Sequence, residues 1–473
     1  MPHDTEHELG RGLKHRHMTM IALGGIIGAG LFVGSSAVIS TTGPGAVVSY
    51  LAAGVLVVLV MRMLGEMAVA NPSVGSFADY TRSALGNWAG FSTGWLYWYF
   101  WSIVLAVEAV AGAEILQRWI DAPTWLISLV LMALLTGTNL FSVRSYGEFE
   151  FWFASIKVAA IVAFILVAVA WLFGLGGGDS PGLSNLTSEG GFAPAGVITL
   201  LSGVVVVIFA FVGAEIVTIA AAESEQPEEA VARAVRSVVY RVLLFYVLSI
   251  FLLVAVVPWD QVASGDSPFI AALDKIGIPG SADVMNAIIV TAVLSCLNSG
   301  LYTGSRMLFA LARRGDAPKG LLDVNRRGVP VKAILLTTAI GFLSTILAWL
   351  SPDTVFLFLV NSSGAVALFV YLLVAVAQLR MRRQLEREAP ERLKVRMWLY
   401  PWLTWLSIVA IVAVIASMAL VDDEATNAYL VPSLISAAVV LVAAFVKGRL
   451  ERGRARAPAR ARPRQRGRTV ATG

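Results

Sequence analysis

Seven residues, Gly24-Gly25-Ile26-Ile27-Gly28-Ala29-Gly30, place four glycines in the middle of the first long apolar run, roughly Met18 to Ser40. Each glycine inside a helix costs about 1 kcal/mol against alanine. In a bilayer, a helix interrupted there must have its freed peptide groups satisfied by protein or by a bound ligand. A helix that resumes near Gly28-Ala29-Gly30 offers bare N–H groups and a positive dipole end, which suit a carboxylate. The glycines also let a ligand approach the backbone closely. The competing reading is that small residues let membrane helices pack tightly. Ionisable residues within other apolar runs are the second source of chemistry, because a charge in hydrocarbon is costly and tends to mark function. Lys157 stands about nine residues into the fifth run, where it either takes part in proton transfer or snorkels to the headgroups. Glu108, in the middle of the third, can pass a proton, pair with a basic group or face a ligand cation. Glu215 follows Gly213 in the sixth run and is expected to steady the backbone there. Arg62 and Glu66, one helical turn apart, read as an ion pair or gate contact, and Arg306 lies near the inner end of the eighth run. Ser295, Asn298 and Tyr302 fall at i, i+3 and i+7 and share a helix face, with Cys296 and Thr303 beside them. They line a pathway or bond between helices.

The elements that must position these groups are membrane spans. The chain has 473 residues, 57% hydrophobic and 14% charged, with mean hydropathy +0.76. A soluble chain carries about 25% charged residues, so this is a polytopic membrane protein. At about 20 apolar residues per span, twelve spans are expected over 18–41, 44–68, 88–117, 123–141, 149–173, 196–222, 237–258, 281–311, 333–350, 354–379, 397–420 and 427–446. Met1 to His17 is polar and lacks the apolar core of a signal peptide, so the first run is expected to act as an uncleaved insertion signal.

Charge sets the expected orientation. With a cytoplasmic N-terminus, 30 of the 36 Lys and Arg fall in inner segments, and only Arg118 and Lys275 in outer loops. Both termini are therefore expected in the cytoplasm. The same bias accounts for the net charge of +5 without nucleic acid. The expected divisions are an N-terminal tail 1–17, a first five-helix unit 18–173, an outer loop 174–195, a second unit 196–380, two peripheral helices 397–446 and a basic, disordered tail 447–473. Ten basic residues in that tail suit anionic lipid headgroups, with a partner-binding role as the alternative. Units of five spans each have opposite topology, which makes the sixth span the counterpart of the first. Interruptions at matching places in two halves point to a transporter site.

Several stretches resemble one family. They are His17 to Ser36, Gly65-Glu66-Met67-Ala68-Val69-Ala70-Asn71-Pro72, Gly75-Ser76-Phe77-Ala78-Asp79-Tyr80, Tyr146 to Trp152, Gly213 to Ser224, Arg313 to Pro318 and Met397 to Trp405. Together they are similar to the amino acid–polyamine–organocation superfamily, and within it to the bacterial amino acid permeases of the gamma-aminobutyrate branch. The resemblance runs from Glu8 to about Trp405; the tail beyond Lys447 is outside it. It implies an all-α fold, a five-plus-five inverted repeat of the leucine-transporter kind with helices 1 and 6 broken and two helices added. It also implies substrate-site roles. The backbone of Ala29 and Gly30, next to Gly28, would take the carboxylate, and carbonyls of Ile26, Phe209 and Val212, beside Gly213, the ammonium. Phe209 would gate the site, although its side chain read alone is core packing, and Asn298 would line it. Lys157 would stand where sodium-coupled relatives hold their ion, between spans one, five and eight.

The implied function is import of gamma-aminobutyrate or a related small zwitterionic amino acid across the cytoplasmic membrane by proton symport. The alternatives are a permease or exchanger for proline or another neutral amino acid and, from a different class, a membrane receptor or enzyme. No cofactor is expected. All four histidines lie before residue 18, and Cys296 is the one cysteine, so no His or Cys metal cluster and no internal disulfide is expected. A Walker pattern is absent, which disfavours a primary pump.

Overall fold

The computed structural model describes residues 27–71, 77–141, 143–175, 180–215, 227–350, 352–420 and 434–449. Ile26, the remainder of 18–26, the continuation of the sixth run over 216–226, the N-terminal tail and residues 450–473 lie outside that description. No strand occurs among the described residues.

The first run enters as a short helix, α1 (Ala29–Phe32), joined through Val33 to α2 (Gly34–Thr42). The chain turns at Gly43, whose φ of +65° suits glycine, with Pro44 starting the next turn. Next come α3 (Ala46–Ala70), α4 (Phe77–Leu85), α5 (Asn87–Leu116), α6 (Thr124–Phe141) and α7 (Val143–Leu172). The second group begins with α8 (Val197–Phe211) and continues with α9 (Pro227–Arg241), a π-helical turn at Val242–Val247, and α10 (Leu248–Val256). It proceeds through α11 (Pro268–Ile276), α12 (Ser281–Arg313), α13 (Val331–Leu350) and α14 (Pro352–Glu388). Last are α15 (Trp402–Leu420) and α16 (434–449).

Among the described residues, six helical runs are long and apolar enough to cross a membrane, and four shorter apolar helices accompany them. The two longest described helices, of 33 and 37 residues, outrun a hydrocarbon core of about 30 Å by the widest margin. At 1.5 Å per residue, α12 and α14 extend through it, and α14 carries Arg380, Arg382, Arg383 and Arg387 on its projecting end. Helices α4 and α11 are not among the expected spans, because nine residues each are too few to cross.

Helix α5 is apolar on all sides, which is the pattern of a helix enclosed by others. Its most apolar stretch is 78% buried, against 33% for α7. It packs against α12, α14, α13 and α6, so a residue at its midpoint is central to the molecule. Helix α11 and the residues before it pack against α1 and α2. Phe269 on α11 sits between Phe32 and Phe164, with ring centroids 5.0 and 4.8 Å away. Just before it, the Gly265 N–H donates to Ser36 Oγ at 2.9 Å. Outward-facing Leu134, Leu166, Trp349 and Val412 present apolar surface on α6, α7, α13 and α15, as contact with lipid tails requires.

Candidate functional site

The site begins where α1 begins. Gly28 is extended (φ −140°, ψ −151°) and Ala29 opens the helix. The N–H groups of Leu31 and Phe32 both return to the Gly28 carbonyl at 3.3 Å, so those of Ala29 and Gly30 are the ones a helix start leaves over. Ala29 N–H donates to Glu108 at the centre of α5, at 3.0 Å to Oε2 and 3.2 Å to Oε1. An internal carboxylate thus occupies the amide that the family resemblance gives to a ligand. Both glycines are required by close approach. A Cβ on Gly28 would press on Glu108 Oε1 and stand 2.8 Å from Cys296 Cβ, and one on Gly30 would stand 2.9 Å from the Phe209 ring and 3.0 Å from Ala210 Cα.

The facing wall is the end of α8. The helix stops at Phe211, Val212 is extended (φ −62°, ψ 140°), and Gly213 takes φ +107°, a value that strains any residue with a Cβ. Freed peptide groups here find side-chain partners. The Ala210 carbonyl accepts from Tyr246 OH at 3.0 Å. Gly213 N–H donates to both oxygens of Glu215 at 3.0 Å, and Tyr371 OH donates to Glu215 Oε2 at 3.2 Å. Between the two interruptions lies a pocket of about 10 Å³ lined by Gly30, Phe100, Trp101, Glu108, Phe209 and Cys296. That is room for about one water. The Phe209 and Phe100 rings close it, 6.1 Å apart. Phe100 and Trp101 escaped the sequence reading, although Trp101, Val104 and Glu108 sit at i, i+3 and i+7 on one face.

Below this pocket Lys157 is fully buried. Its Nζ donates to the Ile27 carbonyl at 2.9 Å and to Ser295 Oγ at 2.7 Å. Ser295 Oγ donates in turn to Glu150 Oε1 at 2.6 Å. The lysine on α7 therefore meets the unwound residue before α1 and a hydroxyl on α12. The sequence reading gave Glu150 no role, yet it stands seven residues before Lys157, two turns away on the same face.

A sequence model of the amino acid permease family matches residues 17–457. The chain belongs to that family. The permease is 55% identical over 416 residues to a gamma-aminobutyric acid permease of Bacillus subtilis, covering 88% of this chain and 89% of the relative. It is 50% identical over 401 residues to the protein of that name from Escherichia coli K12, covering 84% and 86%. An aromatic amino acid transport protein of Corynebacterium glutamicum is 43% identical over 400 residues, with 84% and 86% covered. Family membership makes the molecule a multi-pass membrane transporter rather than an enzyme, with the twelve-span, leucine-transporter-like fold of its family.

The remaining candidates of the permease sit away from the pocket. Asn298 Oδ1 accepts from Asn139 Nδ2 on α6 at 2.7 Å, a buried tie between helices. Arg306 stacks on the Tyr302 ring of its own helix, 3.3 Å from the centroid. Of the two readings of Arg62 and Glu66, ion pair or gate contact, the ion pair is corrected. Glu66 accepts instead from Arg382 Nη1 at 2.6 Å, Gln378 Nε2 at 2.8 Å and Met397 N–H at 2.5 Å. Arg62 turns outward, donating to the Arg396 carbonyl at 2.9 Å and lying over the Trp398 ring. The long basic end of α14 brings Arg382 into the interior and so outcompetes the nearer arginine.

Proposed function

We propose that the permease imports gamma-aminobutyrate, or a related small amino acid, across the cytoplasmic membrane by proton symport with alternating access. In this reading 18–173 and 196–380 are the two inverted units, both termini are cytoplasmic, and the basic tail rests on anionic lipid. Support for the substrate comes from relatives named for gamma-aminobutyrate that match over most of both chains. The observation that carries the coupling is the bond from Lys157 Nζ to the Ile27 carbonyl. A protonated amine there grips the unwound backbone that must move; a neutral amine grips it less.

The substrate carboxylate would take the N–H groups of Ala29 and Gly30, and its ammonium the carbonyls of Phe209 and Val212, with Ile26 completing the set. Glu108 holds the Ala29 N–H first. Two negative carboxylates disfavour sharing one site, so entry of the substrate goes with protonation or withdrawal of Glu108. The pocket of about 10 Å³ must widen, and in this reading the Phe209 ring is the gate that moves aside. Gamma-aminobutyrate holds its charges three carbons apart, against one in an α-amino acid, and so spans further between the two breaks.

A second reading, transport of another neutral amino acid, draws on the aromatic wall of Phe100, Trp101 and Phe209 and on the aromatic transporter among the relatives. Uptake of radiolabelled gamma-aminobutyrate into proteoliposomes, challenged with a panel of unlabelled amino acids, separates the two. The proposal expects gamma-aminobutyrate to compete best and accumulation to collapse with a protonophore. Stronger competition by phenylalanine or proline supports the second reading.

A further inference from the structure

Three buried side chains form a line with one direction. Lys157 Nζ donates to Ser295 Oγ at 2.7 Å, and Ser295 Oγ donates to Glu150 Oε1 at 2.6 Å. All three residues have no exposed surface. No direct ion pair joins the two charges; a hydroxyl stands between them. We propose that Glu150 is the inner station of the proton route, receiving the Lys157 proton through Ser295. The inference deepens the symport reading and rests on it.

The placement favours transfer toward the cytoplasm. Glu150 lies seven residues before Lys157 on α7, about 10 Å nearer the inner end of that helix at 1.5 Å per residue. Ser299 of α12 faces the same Glu150 carboxyl as Ser295. Lys157 is also faced by Glu108 from α5, Cys296 from α12 and Arg241 from α9. Of these, Glu108 bonds the backbone at Ala29 above the lysine and belongs to the substrate side. Arg241 is a buried cation that accepts no proton at physiological pH. Glu150 is the carboxylate linked to the lysine through a single hydroxyl.

The step balances. One N–H bond of the Lys157 ammonium breaks and its proton binds Ser295 Oγ, while the Ser295 hydroxyl proton passes to Glu150 Oε1. Lysine ends as a neutral amine, glutamate as a neutral acid and serine unchanged. The opposite charges vanish together, so the interior gains no net charge. The amine's grip on the Ile27 carbonyl weakens in the same event, which ties proton departure to loosening of the first span. Glu150 then releases the proton to inner water.

The test uses the full chain in proteoliposomes with radiolabelled gamma-aminobutyrate. Two modes are read: net uptake driven by an inside-alkaline pH gradient, and counterflow exchange without a gradient. Removing a positioned proton acceptor costs about 100-fold, so Glu150→Gln is expected to lose net uptake on that scale while counterflow stays near wild type. Ser295→Ala should behave alike, Ser295→Thr should restore function, and Glu150→Asp should restore part of it. The dependence of net uptake on internal pH should flatten in Glu150→Gln, which a purely structural role would not produce. Should Glu150→Gln fail to insert, Ser295→Ala against Ser295→Thr decides. Wild-type net uptake in Glu150→Gln or Ser295→Ala, with wild-type protein still sensitive to protonophore, overturns the relay alone. Wild-type accumulation indifferent to protonophore overturns the symport reading and the relay with it.

Discussion

The two helix interruptions are braced by different kinds of partner. At the start of α1 the braces are ionisable side chains from distant helices, Lys157 on the Ile27 carbonyl and Glu108 on the Ala29 N–H. At the end of α8 they are a tyrosine hydroxyl on the Ala210 carbonyl and a carboxylate two residues along the chain, itself held by Tyr371. A tyrosine hydroxyl keeps its proton across the working range of pH, and Glu215 is saturated by local donors. Under the proposed coupling, the first interruption is the one tightened or released by a proton, and the second is the one held by local donors. In the proposed symport cycle the first span is the moving part and the end of α8 the platform it works against.

The largest effect that tests this contrast is at Lys157. Lys157→Ala should abolish accumulation driven by a pH gradient, a loss of about 100-fold or more in net uptake, while some exchange remains. Reconstituted vesicles with an imposed gradient measure it, and gradient-driven accumulation in the variant would erase the distinction between the two breaks. A smaller effect of another kind is expected at Glu215. Glu215→Gln keeps the shape but turns one carboxylate oxygen into an amide donor, so the Gly213 N–H keeps a single, uncharged acceptor at a cost of about 1 kcal/mol. It should lower the detergent-solubilised melting temperature yet leave the ratio of gradient-driven to exchange transport as in wild type. A changed ratio would mean that the second break also reads the proton.

Much of this was legible in the chain because hydrocarbon is an unforgiving solvent. Apolar run length locates the described spans, and four glycines in seven residues mark the start of α1. Glycine at 213 likewise marks the end of α8, where φ is +107°. Side-chain pairing was less legible, because it depends on which helices meet. Arg62 is one turn from Glu66 in sequence, but Arg382, 316 residues away, takes the carboxylate. Helix spacing also cannot tell whether Asn298 faces the pocket or Asn139 on α6. Glu150 could have been found: a carboxylate seven residues before a buried lysine shares its face, and the motif Tyr146 to Trp152 drew attention to those residues without assigning them a task. The short helices α4 and α11 are too short to register as spans, yet Phe269 on α11 packs its ring on Phe32 of α1.

The finest test of the contrast removes one oxygen. Tyr246 is fully buried, its ring lies 4.4 Å from that of Phe211 and its hydroxyl donates to the Ala210 carbonyl. Tyr246→Phe keeps the ring contacts and deletes only the donor. The Ala210 carbonyl, next to the close approach of Gly30, then loses a hydrogen bond of about 1 kcal/mol. If the end of α8 is a fixed platform, that loss appears as a small drop in melting temperature and a modest weakening of substrate affinity, because the walls beside Phe209 are held less firmly. The pH dependence of net uptake should not move, since no group that titrates near neutrality has been touched. A shift in that pH profile would place Tyr246 within the proton circuit and make the two interruptions equal partners.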